Sequence, residues 1–174
     1  MLAFGVVLPQ LFHLTGIPQA GEIFLPMHIP ILLTGFLIGG DYGFLIGILT
    51  PIISHFATGM PATLRLPFMI GELAIYGLVS GLLYHNVGLK NKKFGGLTAL
   101  IVAMISGRLF YAVMLFVAAA ALHTGGGAIA AVTATVKGIY GIGIQLLVIP
   151  PVVYAAKKGG LIIDSDRKGK KASD

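Results

Sequence analysis

Long stretches without a charged residue dominate this sequence. They cover residues 1–21, 23–40, 42–64, 73–89, 109–136 and 138–156. A helix needs about 20 mostly apolar residues to cross the hydrocarbon core of a bilayer. Hydrophobic residues make up 56% of the chain and charged residues 10%, whereas a soluble domain of this size leaves about a third of its unfolded surface exposed. The sequence therefore predicts an integral membrane protein.

Turn signals divide these stretches into pieces of helix length. Breaks rich in glycine and proline leave six apolar segments, near residues 1–14, 25–40, 42–58, 66–86, 97–122 and 129–157. Each segment is continuously apolar, whereas barrel strands alternate apolar and polar residues. We predict an all-α integral membrane protein, a bundle of six transmembrane helices within residues 1–158. Because a helix from Met1 that is broken near Pro9 is too short to cross about 30 Å, we expect the first helix to be truncated at its start.

Basic residues are concentrated in two regions. Nine of the twelve Lys and Arg residues follow the fourth or the sixth segment, namely Lys90, Lys92, Lys93, Lys157, Lys158, Arg167, Lys168, Lys170 and Lys171. An even-numbered bundle puts both regions on one side, and the positive-inside rule makes that side cytoplasmic. We predict cytoplasmic N and C termini, with a basic cytoplasmic tail over residues 159–174. Since topology explains the pI of about 9.7, nucleic acid is not an expected partner.

Small residues recur at intervals of four positions. The clearest series are Gly35, Gly39, Gly43 and Gly47, then Gly77 with Gly81, then Ala99, Ala103 and Gly107. In lipid, helices associate through close backbone packing rather than through the hydrophobic effect. Such series indicate either packing inside the bundle or a surface for another membrane subunit, and the sequence leaves both open.

Three ionisable residues fall inside the predicted spans: Glu72, Arg108 and Lys137. At 1.5 Å per helical residue they lie about 9, 21 and 12 Å from the outer ends of their segments. Charge at this depth is expensive and is a functional hypothesis by default. One interpretation is a Glu72–Lys137 or Glu72–Arg108 ion pair that only joins helices. The other is a polar pocket open to the outside, where one carboxylate against two cations favours an anionic ligand.

Aromatic and polar side chains surround this layer. Small-molecule sites combine a mostly apolar wall with a few placed polar groups. A core role is commoner for any single tyrosine, and an interfacial role for a single histidine. The candidate substrate-binding residues are Glu72, Tyr76, Arg108, Tyr111, Lys137, Tyr140, His28 and Met60, with Gln145 nearby.

Several motifs are absent from the sequence. It contains no G-x-x-x-x-G-K-[ST] phosphate loop, so we expect this chain to bind no ATP. It has no cysteine and no H-E-x-x-H or G-x-S-x-G motif, so thiolate metal sites are excluded and an enzyme is not expected. We expect no cofactor in this chain and no metal site.

Five local strings occur in order along the chain: FLPMHIP at 24–30, the glycine series of 35–47, TP at 50–51, TGMP at 58–61 and ELAIYG at 72–77. Together with its size and six predicted helices, they make the chain resemble the substrate-binding (S) components of energy-coupling factor (ECF) transporters, the vitamin importers of bacteria and archaea. The resemblance is strongest to the branch that carries pantothenate, folate and pyridoxine or hydroxymethylpyrimidine, and pantothenate is our first expectation.

The resemblance also implies a mechanism and partners. An S component captures its vitamin from outside, in a pocket under loops that correspond to residues 15–24, 59–65 and 123–128. It then associates with a transmembrane coupling (T) subunit and two ATPases, which use the ATP. One departure is that the Ala-x-x-x-Ala docking motif of the family's first helix is not readable here, where Ala3 and Gly5 stand near the start.

Two other functions stay open at this point. A stand-alone carrier coupled to ions or protons would use Glu72 as its titrating group. A structural membrane subunit would use its charges only to join helices.

Overall fold

The computed structural model describes residues 1–13, 16, 20–121, 123 and 127–162. These residues form eight α-helices: α1 Leu2–His13, α2 Ala20–Phe24, α3 His28–Ile38, α4 Gly40–Thr58, α5 Leu66–Gly81, α6 Gly95–Ala121, α7 Gly127–Lys137 and α8 Ile139–Lys158. A π-helical turn, Leu82–Asn86, extends α5, and the 3-10 turn Leu89–Asn91 leads into α6. Residues 15 and 17–19 of the first predicted loop, residues 124–126 of the fifth, and the tail from residue 163 onward lie outside the described residues.

In the described part of the chain, three helical stretches are long and apolar enough to cross a membrane: Leu66–Asn86, Gly95–Ala121 and Ile139–Lys158. Two shorter apolar helices, Leu2–Phe12 and His28–Ile38, accompany them. Large apolar side chains such as Ile105, Phe116 and Leu147 are exposed on the long helices, as expected of surfaces that face lipid. The prediction of a helical membrane protein is confirmed at this level.

The break between the second and third predicted segments is a single residue. Gly39 separates α3 from α4 with a φ of 130°, a backbone conformation that a residue with a Cβ rarely adopts. Its N–H donates to the carbonyls of Thr34 and Gly35, which ends α3 and lets α4 begin at once. The predicted turn at this place is confirmed.

The glycine series of 35–47 packs inside the bundle. A Cβ built on Gly43 would lie 2.4 Å from the carbonyl oxygen of Gly77, and one built on Gly77 would lie 2.2 Å from that of Gly43. Gly47 is equally close to Leu73, and Gly35 contacts Gly77 and Ser80. Since the neighbours are mostly backbone atoms, these glycines let α3, α4 and α5 approach each other directly. Of the two interpretations of this series, internal packing is the one that the structure shows.

The sixth predicted segment is not one helix. It is divided at Gly138 into α7 and α8, and the prediction of a continuous helix over 129–157 is wrong. Gly138 has φ −80° and ψ 2°, which departs from helical geometry, and its N–H still bonds to the carbonyl of Ala134. At the break, Gly138 lies against the side chains of Arg108 and Leu25. The short helix α2 was not predicted either.

Apolar side chains from four helices form the core. The large apolar side chains that are fully buried include Ile31, Leu32 and Phe36 on α3, Leu73 on α5, Leu100 on α6 and Ile149 on α8. Glu72, which directly precedes Leu73 in the chain, is itself buried, at 3% exposed.

Candidate functional site

Glu72 lies on the buried face of α5. It stands six residues after Leu66, the first residue of the helix, and Tyr76 follows one turn later on the same face. Both side chains are almost completely buried, and the Tyr76 hydroxyl lies close to the Glu72 carboxylate. A carboxylate removed from water needs a charged or hydrogen-bonding partner, so its neighbours define what this site can do.

Arg108 on α6 is the partner of Glu72. Its Nη1 lies 3.1 Å from Glu72 Oε1, and the two side chains are 14% and 4% exposed. The close approach of α5 and α6 depends on Gly107, where a Cβ would lie 3.0 Å from the Tyr76 ring. Of the two ion pairs that the sequence left open, the structure shows Glu72 with Arg108.

His28, the first residue of α3, completes the group. Its side chain is 1% exposed, and Nε2 lies 3.7 Å from Glu72 Oε1. The imidazole packs edge-on against Tyr76, with 5.1 Å between ring centroids and an angle of 67° between the planes. We call His28, Glu72, Tyr76 and Arg108 the polar centre.

Several buried atoms of the polar centre make no hydrogen bond within the described protein. They are Nε and Nη2 of Arg108, both ring nitrogens of His28, and Glu72 Oε1, whose ion pair with Arg108 lacks hydrogen-bond geometry. More than nine in ten buried polar groups in proteins are paired, and an unpaired one costs about 1–3 kcal/mol. The polar centre therefore contains buried polar atoms whose hydrogen-bonding capacity is not satisfied within the described residues.

The other predicted site residues are spread around the polar centre. Tyr111 is half-buried near Arg108 on α6, and its ring packs at 6.3 Å from that of Phe68. Lys137, half-buried, ends α7 directly before Gly138, whose Cβ position lies 2.8 Å from Arg108 Nη2. The boundary between α7 and α8 therefore lies close to the polar centre, and so does the backbone at Lys137.

Two predicted residues lie elsewhere. Tyr140 is 68% exposed, because α8 turns the face that carries Gly141 and Gln145 inward and leaves Tyr140 on the outside. Met60 is 46% exposed in the loop between α4 and α5, before a cis bond to Pro61. The structure does not bring either side chain into the polar centre.

Sequence reasoning missed two further polar side chains, and it placed a third among the neighbours of the site. Gln10 Nε2 on α1 and Ser54 Oγ on α4 are buried without a hydrogen bond in the described protein, as are both polar atoms of Gln145 on α8. Each is an isolated polar residue in an apolar segment, which is a signal visible in the sequence. These residues lie on α1, α4 and α8. Together with the polar centre on α3, α5 and α6, unsatisfied polar atoms occur on six of the described helices.

The helical membrane fold and the buried, incompletely paired polar centre together define a membrane protein that is equipped to bind a polar solute. Residues 1–153 match the family model described as ECF transporter, substrate-specific component, and the chain belongs to this family. Members of the family are transport binding proteins rather than enzymes; they bind a small substrate and pair with T and ATPase subunits. Comparisons with curated proteins and with solved structures found no match.

Proposed function

We propose that this chain captures a water-soluble vitamin from outside the cell at the polar centre and delivers it inward through a T subunit and two ATPases. Family membership supports the binding role. In this proposal the ATPases use the ATP, and this chain holds no cofactor. The fold contributes a rigid frame, since glycine contacts fix α3, α4 and α5 against each other around Glu72.

The observation that carries the proposal is that two of the three nitrogens of the Arg108 guanidinium have no acceptor in the described residues. Nη1 lies against Glu72, while Nε and Nη2 are buried without acceptors in the described protein. A guanidinium binds a carboxylate with charge-assisted hydrogen bonds, often two in parallel. A ligand carboxylate or carbonyl oxygen would therefore bind Arg108 without replacing Glu72.

The acceptors beside Arg108 narrow the class of ligand further. Glu72 Oε1 and a ring nitrogen of His28 can accept hydrogen bonds from ligand hydroxyl or amide groups. Pantothenate, a small carboxylate with hydroxyl and amide groups, supplies both kinds of partner, and we propose it as the substrate. Folate, pyridoxine and hydroxymethylpyrimidine are the alternatives within the same role.

Equilibrium binding of the purified chain to a vitamin panel tests the substrate. We expect tight binding of pantothenate and weaker binding of uncharged pyridoxine, because only the carboxylate uses the charge of Arg108. Tight binding of pyridoxine without binding of pantothenate would show that the choice of ligand is wrong while leaving the binding role intact.

Co-purification tests the transport role separately from the substrate. Affinity purification of the chain from its own membranes should recover a membrane coupling subunit together with two ATPase subunits. A chain that binds a vitamin but purifies without these partners would contradict the proposed delivery step.

One observation favours a second candidate function. His28 Nε2 and Glu72 Oε1 are 3.7 Å apart and both buried, and Glu and His side chains within membrane spans form proton relays in pumps and transporters. A stand-alone carrier coupled to ions or protons through Glu72 would take up its solute in liposomes that contain no ATPase. Uptake that is driven by a pH gradient under these conditions would favour this candidate over the ECF mechanism.

A further inference from the structure

A groove of about 630 Å³ lies at the opposite end of α5 from the 59–65 loop, far from the polar centre. It opens where the chain passes from the π-helical turn into α6 and where α8 ends. Five of its lining residues are lysines: Lys90, Lys92, Lys93, Lys157 and Lys158. Among the lining residues, all of which belong to the described part of the chain, none is acidic.

The lysines are held together by the fold. The ammonium group of Lys157 donates a hydrogen bond to the backbone carbonyl of Lys90, which fastens the end of α8 to the turn before α6. Lys93 Nζ lies 5.9 Å from the centroid of the Phe94 ring. Five like charges around one concavity repel each other, and a bound anion relieves this repulsion.

Apart from Asn91, the remaining walls of the groove are mostly apolar or aromatic, and most of them belong to candidate membrane-spanning helices. Phe94, Leu97 and Tyr154 are exposed, and Val153 lies 3.8 Å from the Cβ position of Gly96. The helices that carry most of these side chains, Gly95–Ala121 and Ile139–Lys158, are two of the candidate spans. Because both spans end at the lysines, the groove lies where hydrocarbon meets the headgroups of the bilayer.

We propose that this groove is a binding site for an anionic phospholipid such as phosphatidylglycerol. The lysine ammonium groups bind the headgroup phosphate, and an acyl chain lies along the exposed side chains of Leu97 and Tyr154. Basic pockets between spans at one membrane surface have the chemistry that selects anionic headgroups. A soluble acidic peptide fits less well, because the apolar walls continue into the depth of the hydrocarbon. This proposal does not depend on which vitamin the polar centre binds.

Native mass spectrometry of the full purified chain, offered phosphatidylglycerol and phosphatidylcholine at equal concentration, measures the preference directly. We expect phosphatidylglycerol adducts to dominate in the wild type. The double variant Lys93→Gln/Lys158→Gln should bind phosphatidylglycerol about 25-fold more weakly, roughly fivefold for each lysine near the surface. Lys93→Arg/Lys158→Arg keeps the charge and should keep the lipid.

A charge-matched control separates the groove from the overall charge of the chain. Lys170→Gln/Lys171→Gln removes two positive charges from the tail, outside the described residues, and should leave the affinity for phosphatidylglycerol within about twofold of the wild type. Equal losses in the two Gln double variants would overturn the proposal, and so would an unchanged affinity in Lys93→Gln/Lys158→Gln. The melting temperature of each variant establishes that it is folded.

Two competing ligands, inorganic phosphate and a poly-glutamate peptide, distinguish an anionic lipid from soluble anions. Inorganic phosphate at 10-fold molar excess over the lipid should not displace phosphatidylglycerol, because it lacks the acyl chain that the apolar walls bind. Displacement by phosphate, or by a poly-glutamate peptide, would show that the groove binds soluble anions and would contradict the lipid site.

Discussion

Glu72 and Arg108 are the residues on which the proposed function depends most. Their charges are buried within 3.1 Å of each other, and the pair uses one nitrogen of a guanidinium that has three. A pair that only joined helices would satisfy its polar atoms inside the protein, whereas Arg108 Nε and Nη2 have no acceptor in the described residues. The incomplete pairing is the reason why we propose a binding role for this pair rather than a purely structural one.

A double-mutant cycle tests the buried pair. Glu72→Gln or Arg108→Gln alone leaves one buried charge uncompensated, which costs about 3–5 kcal/mol. We expect both single variants to melt well below the wild type and the double variant Glu72→Gln/Arg108→Gln to recover part of the loss. Thermal unfolding of the detergent-purified chain measures all three, and additive losses in the double variant would contradict the pairing.

The sequence identified the residues of the ion pair but not the pairing. Glu72, Arg108 and Lys137 were found because ionisable residues are rare in apolar segments. The choice of Arg108 depends on how α5 and α6 pack against each other, which no spacing along the chain reveals. Tyr140 illustrates the same limit, because an apolar helix in lipid gives no pattern that separates its inner face from its outer one.

Among the helices, the break between α7 and α8 has the clearest connection to binding. Gly138 packs directly against Arg108. A Cβ at this position would lie 2.8 Å from Nη2 and 3.0 Å from a methyl carbon of Leu25. Its φ of −80° is accessible to any residue, so a substitution there changes the space around the guanidinium more than the backbone.

We therefore expect Gly138→Ala to weaken ligand binding with little effect on stability. Displacing the guanidinium by a few tenths of an ångström disturbs one charge-assisted hydrogen bond, worth about 1.5 kcal/mol or roughly tenfold in Kd. Isothermal titration measures the affinity. Gly143→Ala on the same helix is the matched control, because nothing lies within 4 Å of its Cβ position, and equal affinities in the two variants would contradict this role for Gly138.

The contact between α4 and α5 makes a separate prediction about stability. In Gly77→Ala the new methyl group would overlap the backbone of Gly43, which cannot move aside as a side chain can. Overpacking of this kind costs about 1–3 kcal/mol or more, and we expect the melting temperature to fall by about 5 °C or more. Gly143→Ala should keep or raise it, since alanine favours helix by about 1 kcal/mol. A Gly77→Ala protein as stable as the wild type would show that these helices do not touch.

The sequence predicts a helix boundary correctly where the residue that ends the helix does so through its own backbone conformation. The turn at Gly39 and the end of α4 at Gly59, which has a φ of 73°, both lie at predicted glycines. The break at Gly138 does not, because glycine is common inside transmembrane helices and does not by itself end one. The sequence therefore predicts the boundaries at Gly39 and Gly59 but not the one at Gly138, beside Arg108.

For the molecule as a whole, the distribution of positive charge makes a prediction about orientation. The groove lysines lie at the end of the spans opposite the 59–65 loop, and we propose that this end, with both termini, faces the cytoplasm and that the chain spans the membrane six times. The chain has no cysteine, so an introduced one is a unique label.

Single-cysteine labelling in intact cells tests the orientation. Ala62→Cys in the loop between α4 and α5 should react with a membrane-impermeant maleimide, and Lys92→Cys should react only after permeabilisation. Both positions are exposed, so a difference reports the side of the membrane rather than burial. The reverse pattern would invert the proposed topology and place the polar centre nearer the cytoplasm.

The most direct test of the central claim is the affinity of the polar centre for its ligand, measured by equilibrium titration of pantothenate into the wild type and Arg108→Lys. Lysine keeps the positive charge beside Glu72 but removes the planar fork of donors. We predict that wild type binds tightly, that Arg108→Lys binds about 10–100-fold more weakly, and that Lys158→Gln at the other end of the molecule binds as the wild type does. Unchanged affinity in a folded Arg108→Lys protein would contradict the assignment of this centre as the binding site.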